Sequence, residues 1–328
     1  MRALVCSEFG ILGEKPPKLS LQELPDLHPN NDEILVEVKA TSLNYPDLLM
    51  MDNRYQFKPT LPYIPGYELS GIVKEIGPGV THINVGDAGV AITRIGGLAE
   101  QIIVPKDRFW KLSTPLNFQF AAAFPLAYGT SYHALKDRAK LQKNEKILIL
   151  GAAGGVGLAA IQLSRLMGAE VIAGASTEEK RDICQKFGAH HTISLNNADL
   201  RPSLKKIFGE FGVDVILDLV GRELSELAFR SLAWNGRHLI TGFTSGDIPR
   251  LPMNLPLLKG ASIIGVAWDT YTRKYPEAGY KNILDLHELI TNAQLTPLIS
   301  AEFTLNQALD AIQYFNKRLS YGKIIILP

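Results

Sequence analysis

Along the chain the spacing of apolar and polar positions changes near residue 122. Before that point short stretches alternate. EILVEVKA (33–40) repeats at period two, ELSGIVKEIG (68–77) does so more loosely, and Gly86-Asp87 and Gly96-Gly97 punctuate the rest. Alternation between turn residues marks half-buried strands, so residues 1–122 predict a compact, mostly β domain. From residue 123 the pattern changes. FPLAYGTSYHALKDRAKL has helical spacing, and then strands and helices take turns. The predicted strands are KILILG (146–151), EVIAGA (170–175), HTISL (191–195), VDVILDLV (213–220) and RHLITGF (237–243). The predicted helices between them are LAAIQLSRLMG (158–168), TEEKRDICQKFG (177–188) and ELSELAFRSLAW (223–234). These strands are apolar on both faces, as strands of a parallel sheet covered by helices on each side must be. The chain closes with a strand, ASIIGVAW (261–268), two amphipathic helices around 281–293 and 306–318, and a last strand, GKIIIL. This order predicts an α/β domain over 123–264 inserted into a second, discontinuous domain built from 1–122 and 265–328.

Composition narrows the classes of function. At 328 residues there is room for two domains with full cores, and 46% hydrophobic against 20% charged residues is ordinary for a globular chain. A formal net charge of +1 gives no electrostatic footprint for nucleic acid. Two cysteines, Cys6 and Cys184, far apart and without a CxxC partner, exclude a disulfide scaffold or a cysteine-based zinc lobe. MRALVCSEFG is too short an apolar run for a signal peptide, and no segment reaches the ~18 apolar residues of a membrane span. The expectation is a cytoplasmic protein with no membrane partner.

The candidate chemistry begins at ILILGAAGGVGLAA (147–160), where a strand, a glycine turn and a helix follow one another directly. In the register of the dinucleotide fingerprint the three positions are Ala152, Gly154 and Gly157, with alanine in place of the first glycine. Gly154 would let a pyrophosphate approach the backbone, Gly157 would let the helix pack close to the strand, and the helix start offers free N–H groups to an anion. The alternative is a tight turn between buried elements. An NAD site ends its second strand with an acid that binds the ribose 2′-hydroxyl. Here that strand ends AGAST, followed by Lys180 and Arg181, which suits a 2′-phosphate and therefore NADPH. Against this stands a reading of Lys180 and Arg181 as a solvated helix face.

Taken with LNYPDLLM (43–50), LPYIPGYELSGIVKEIGPGV (61–80), GGLAEQ (96–101), AAAFPLAYGTSYHAL (121–135) and SLAWNGRHLITGFTSG (231–246), these residues resemble the zinc-free quinone oxidoreductases of the medium-chain dehydrogenase/reductase superfamily. The resemblance implies a GroES-like β domain (1–122 and 265–328), a Rossmann doubly wound parallel sheet domain (123–264), NADPH as hydride donor and a homodimer. Zinc members carry a cysteine after their first long strand and a GHE motif downstream. Here those places hold the Asn44-to-Asp47 segment and Gly66-Tyr67-Glu68, and the seven histidines show no ligand spacing, so no metal is expected.

By similarity, Asn44 and Asp47 flank the nicotinamide end of the cofactor and Thr130 lies near it. Gly154, Gly155, Val156 and Gly157 hold the pyrophosphate, and Ser176 and Lys180 hold the adenosine phosphate. Gly242, Phe243 and Thr244 end the fifth strand of the Rossmann domain, Val266 and Trp268 close over the nicotinamide, and Arg318 reaches the 2′-phosphate. For Asn44, Asp47 and Thr130 the alternative is a turn or cap role, and for Trp268 plain core. Tyr55, with Asn44, is the catalytic candidate, because it matches the tyrosine that donates a proton in related enoyl thioester reductases. A phenol with its ordinary pKa of about 10 acts as an acid or hydrogen-bond donor at neutral pH. A pocket wall is its alternative role. Three departures stand out: Leu195 replaces a tyrosine beside the adenosine phosphate, Asn53 replaces a glycine two residues before Tyr55, and NNAD (196–199) replaces an acidic run. The implied activity is hydride transfer from NADPH to a quinone. The competing readings are reduction of an enoyl thioester or other α,β-unsaturated carbonyl, and a non-enzymatic NADPH-binding regulator.

Overall fold

A computed structural model describes residues 1–114, 116–195, 197–209 and 212–328; Asn196, the first residue of NNAD, lies outside them. Two compact units are present, Met1–Leu126 with Thr272–Pro328, and Ala127–Tyr271. The first holds β1 (Arg2–Glu8), β2 (Lys18–Glu23), β3 (Glu33–Ser42), β4 (Glu68–Ile76), β5 (Ala88–Ile92), β6 (Gln101–Pro105) and β7 (Phe109–Lys111). The second holds β8 (Lys146–Leu150), β9 (Glu170–Ala175), β10 (His191–Ser194), β11 (Val213–Asp218), β12 (Leu232–Ile240) and β13 (Ser262–Gly265). The chain then returns to the first unit for β14 (Ile299–Thr304) and β15 (Lys323–Leu327).

In the first unit β1 and β2 form a hairpin, and seven strands form a sheet in the order β14-β15-β3-β4-β5-β7, with β6 also paired to β3. Only β14 and β15 run parallel; the other pairs are antiparallel. Ile34, Val36 and Val38 alternate along β3 and meet Leu69, Val73 and Val104 in one core, which explains the period-two pattern. This is the mostly β domain that the alternating pattern predicts.

The second unit is a six-stranded sheet in the order β10-β9-β8-β11-β12-β13, with every neighbour parallel. Counted from β8, that is the 3-2-1-4-5-6 order of the Rossmann fold, whose direction reverses between the first and fourth strands. Ile147, Leu148, Ile149 and Leu150 are all fully buried, so both faces of β8 are covered. Each such side chain is worth about 1.5–3 kcal/mol of transfer free energy.

Two expected elements change character over part of their span. The helix drawn through Trp234 stops at Phe229, and Leu232–Trp234 opens β12 instead. Leu232 pairs with Val213 of β11, and regular pairing resumes only at Arg237 after Asn235 takes a left-handed φ of 60°. Long-range pairing overrides the helical spacing there. Similarly, ASIIGVAW is a strand only over Ser262–Gly265, and Trp268 is the first residue of the helix Trp268–Lys274.

Candidate functional site

In the second unit, the candidate residues cluster where β8 gives way to the helix Gly155–Leu166. The sequence pattern assigns the tight turn to Ala152, yet the positive φ, 77°, belongs to Gly151. The N–H groups of Gly151 and Ala152 both donate to the Gly174 carbonyl, at 3.1 and 3.0 Å, tying the turn to β9. A Cβ on Gly157 would lie 2.5 Å from the Ala152 carbonyl oxygen, so only glycine permits this helix–strand approach. Gly154 differs: a Cβ there would meet nothing nearer than 3.7 Å. It is exposed and caps the helix without a side-chain partner, and the first-turn N–H groups of Gly155, Val156 and Gly157 have no acceptor within the helix. That cradle suits a pyrophosphate. The Val156 carbonyl accepts from Ser131 Oγ at 2.7 Å, which fixes the first turn to the helix Ala127–Tyr132 that also carries the buried Thr130.

The end of β9 is Ala175, followed by exposed Ser176 and by Thr177, which caps the helix Glu178–Lys186 through Lys180 N–H. Lys180 sits half-buried in the first turn of that helix, and no carboxylate occupies the strand end. Gly242, Phe243 and Thr244 were expected to end the fifth strand of this sheet. They lie beyond it, since β12 stops at Ile240. Thr241 N–H donates to the Asp218 carbonyl, and Thr244 N–H and Oγ1 both donate to the Leu219 carbonyl, folding the loop back over the end of β11. Asp218 organises this region: its carboxylate accepts from the N–H groups of Val220 and Gly221, from Ser225 Oγ, and from His238 Nε2 at 3.1 Å. Burial pushes the Asp218 carboxyl up, but His238 and the other donors outweigh it and hold it below the usual range.

Val266 follows β13 and donates to the Ile240 carbonyl. Trp268 is 2% exposed, with its ring against Gly129, where a Cβ would lie 2.3 Å from Nε1, and beside His133 and Tyr271.

The first unit gathers a second group. Asn44 caps the helix Tyr45–Met51, and Asp47 in its first turn accepts from Asn44 N–H at 2.8 Å. Two of the three consecutive residues Gly66–Glu68 bind the expected Asn44-to-Asp47 segment, and the middle one meets Tyr55. Gly66 N–H donates to Asp47 Oδ1 at 3.2 Å, Tyr67 Oη lies 3.4 Å from Tyr55 Oη, and Glu68 Oε1 accepts from Asn44 Nδ2 at 2.9 Å. Tyr55 is half-buried and meets Tyr67 edge to face. Asn53 has φ 54°, the left-handed conformation a glycine would otherwise supply. Asp47 is completely buried, and burial raises its carboxyl to about 7 against the pull of its two backbone donors and of Lys323. Lys323 was not expected in the group; the signal was a lysine heading the otherwise apolar GKIIIL. Arg318 is exposed after the helix Ala308–Asn316, with φ 57°.

These donors do not suit zinc. Tyr67 stands where a ligand histidine would, Glu68 is bound by an ammonium and an amide, and Cys6 and Cys184 are buried free thiols in different units. Among the described residues no three His, Cys, Asp or Glu side chains are grouped to hold a metal ion, and no helix is long and apolar enough to cross a membrane.

Comparison with known proteins gives two family matches. Residues 30–114 fit the alcohol dehydrogenase GroES-like domain, and residues 155–283 fit the model described as zinc-binding dehydrogenase. The chain is 35% identical, over 99% of its length and 88% of the relative's, to quinone oxidoreductase-like protein 2 homolog of Nematostella vectensis. It is also similar to the structure of Escherichia coli quinone oxidoreductase complexed with NADPH, at 26% identity and a TM-score of 0.92 over all of both chains. A mycobacterial protein complexed with NADPH matches at 26% identity and 0.91, again over all of both.

Proposed function

Because the chain belongs to the quinone oxidoreductase family of the medium-chain dehydrogenases/reductases, we propose that it reduces a quinone-type acceptor with NADPH, without zinc. The observation that carries the cofactor reading is the open cradle at Gly154, at the reversal point of the 3-2-1-4-5-6 sheet, beside a β9 end that offers Ser176 and Lys180 in place of an acid. In this reading Gly154, Gly155, Val156 and Gly157 bind the pyrophosphate, and Ser176, Lys180 and Arg318 the adenosine phosphate. For the nicotinamide end this reading assigns Thr130, Gly242, Phe243, Thr244, Val266 and Trp268 in the second unit, and Asn44 and Asp47 in the first. When bound, NADPH supplies the hydride.

The protein's own contribution is position and a proton. Tyr55 donates its phenolic hydrogen toward the oxygen on which negative charge develops, and Tyr67 Oη is placed to donate in turn to Tyr55 Oη as that charge moves. The same pair favours a second reading, reduction of an α,β-unsaturated carbonyl such as an enoyl thioester, where the developing enolate needs an acid more than a hydroquinone anion does. Steady-state oxidation of NADPH and of NADH against a panel of quinones and enones decides between them. The expected result is turnover of at least one quinone, faster than any enone, with NADPH preferred. Tight NADPH binding with no turnover of any acceptor would leave the regulatory reading and overturn this one.

A further inference from the structure

The last strand, β15, is apolar except at its first residue, Lys323, which is 4% exposed. An ammonium is costly to bury unless it is paired and hydrogen-bonded. Three acceptors surround this one: Asn44 Oδ1 at 2.5 Å, Glu68 Oε1 at 2.9 Å and the Leu43 carbonyl at 3.2 Å. An ammonium has three protons, so its donor capacity is matched. The Asn44 amide is filled as well, because Nδ2 donates to the Ser42 carbonyl at 3.0 Å and to Glu68 Oε1 at 2.9 Å while Oδ1 accepts from Lys323. That combination fixes which way the amide faces, since turning it over would set its N–H group against the ammonium. The remaining oxygen of Glu68 accepts from Leu126 N–H at 2.7 Å. Lys323 thus joins segments that are 255 and 279 residues away in sequence.

We propose that Lys323 is a positioning residue for hydride transfer: it locks the Asn44 amide in one orientation and balances Glu68, so that the Asn44–Asp47 segment is held rigidly against Gly66–Glu68. This inference rests on the reading of Asn44 and Asp47 as nicotinamide-end residues. A lysine that merely stabilised β15 would change unfolding and leave the folded protein's turnover alone. A positioning residue changes turnover at saturating cofactor, because small misplacements of groups near a reacting centre are costly even when binding persists.

The test compares wild type with Lys323→Met and with Lys323→Met/Glu68→Gln. The double variant removes the ammonium and the carboxylate it pairs with together, so neither is left as an unpaired buried charge, and it is expected to fold even where the single variant does not. Three quantities are read: NADPH affinity by fluorescence titration, kcat with a naphthoquinone at saturating NADPH, and solvent exchange of the Asn44 side-chain amide in cofactor-free, 15N-asparagine-labelled protein. The double variant is expected to bind NADPH within about threefold of wild type, to lose at least about tenfold in kcat, and to exchange the Asn44 amide faster. Wild-type kcat in the folded double variant would overturn the inference, as would a loss of NADPH affinity as large as the loss of turnover. If wild type reduces no acceptor, the proposed function fails on its own. The Asn44 amide then decides about Lys323, and unchanged exchange in the double variant overturns it.

Discussion

At the scale of single residues the buried carboxyl of Asp47 makes a signed prediction. Its folded-state pKa is raised to about 7 from an ordinary 3.8, mainly by burial, so the folded protein holds this proton more tightly than the unfolded chain. The stability it contributes is complete below the unfolded value and is lost as pH rises through the folded one. Denaturant titration of wild type against Asp47→Asn should therefore show a difference that changes between about pH 4 and 7 and is flat above; a difference constant over that interval would contradict the burial argument. Tyr55 makes a chemical prediction. Tyr55→Phe keeps the ring that meets Tyr67 and removes only the hydroxyl. Quinone turnover should stay within about tenfold of wild type while any enone turnover falls by about a hundredfold, and equal losses would show that the phenol is no selective proton donor. Lys180→Ala should weaken NADPH binding by about 1–3 kcal/mol and leave NADH binding nearly unchanged, as loss of a charge-assisted contact to a 2′-phosphate requires. Parallel losses for both cofactors would remove Lys180 from the phosphate site.

At the scale of elements, the joint between β8 and its helix depends on one missing side chain. The added methyl of Gly157→Ala would lie within 2.5 Å of backbone, which cannot swing aside as a flexible side chain would. The helix must shift away from the turn, so thermal stability and NADPH affinity should fall together. By contrast Gly154→Ala, with open space before it, should keep stability and lose affinity alone. Thermal melts with and without NADPH separate the two. These elements were also the readable ones. β8 and β9 match their predicted spans to within a residue, because strands covered on both faces advertise themselves as uninterrupted apolar runs. The Leu232–Trp234 stretch was not readable, since it matches helical spacing locally and becomes strand through its partner Val213. Nor was the polar cluster of the first unit. Asn44, Glu68 and Lys323 carry no shared spacing, and only the pairing of β15 with β3 and of β3 with β4 makes them neighbours. Gly151 was hidden differently, because the fingerprint directs attention to Ala152 while the positive φ lies one residue earlier.

At the scale of the whole molecule, the sheet of the second unit ends in a strand with one edge unpaired among the described residues. β13 ends the six-stranded sheet, with Ile263 exposed on it. Near it the helix Asn254–Lys259 shows Leu257 and Leu258 to solvent, and Trp234 of β12 is 71% exposed. A free strand edge bordered by large apolar side chains invites pairing, and a second copy placed by a two-fold axis would join two sheets into one. Light scattering should accordingly give twice the 36.1 kDa chain mass, and Ile263→Lys should return it to one. A monomeric wild type at micromolar concentration would refute the arrangement.

The long sequence separation between Lys323 and its partners also orders the protein's birth. Ala127–Tyr271 is continuous, so all six parallel strands leave the ribosome before β14 and β15 do. The other unit must wait. Until β15 is translated, the Thr41–Ser42 end of β3 has β4 on one side and no strand on the other, and Glu68 and the Asn44 amide have no ammonium between them. The Asn44–Glu68 cluster is therefore completed last, and a chain that ends between Tyr271 and Lys323 would carry all of the second unit, with its glycine turn, and lack the ammonium that joins Asn44 to Glu68.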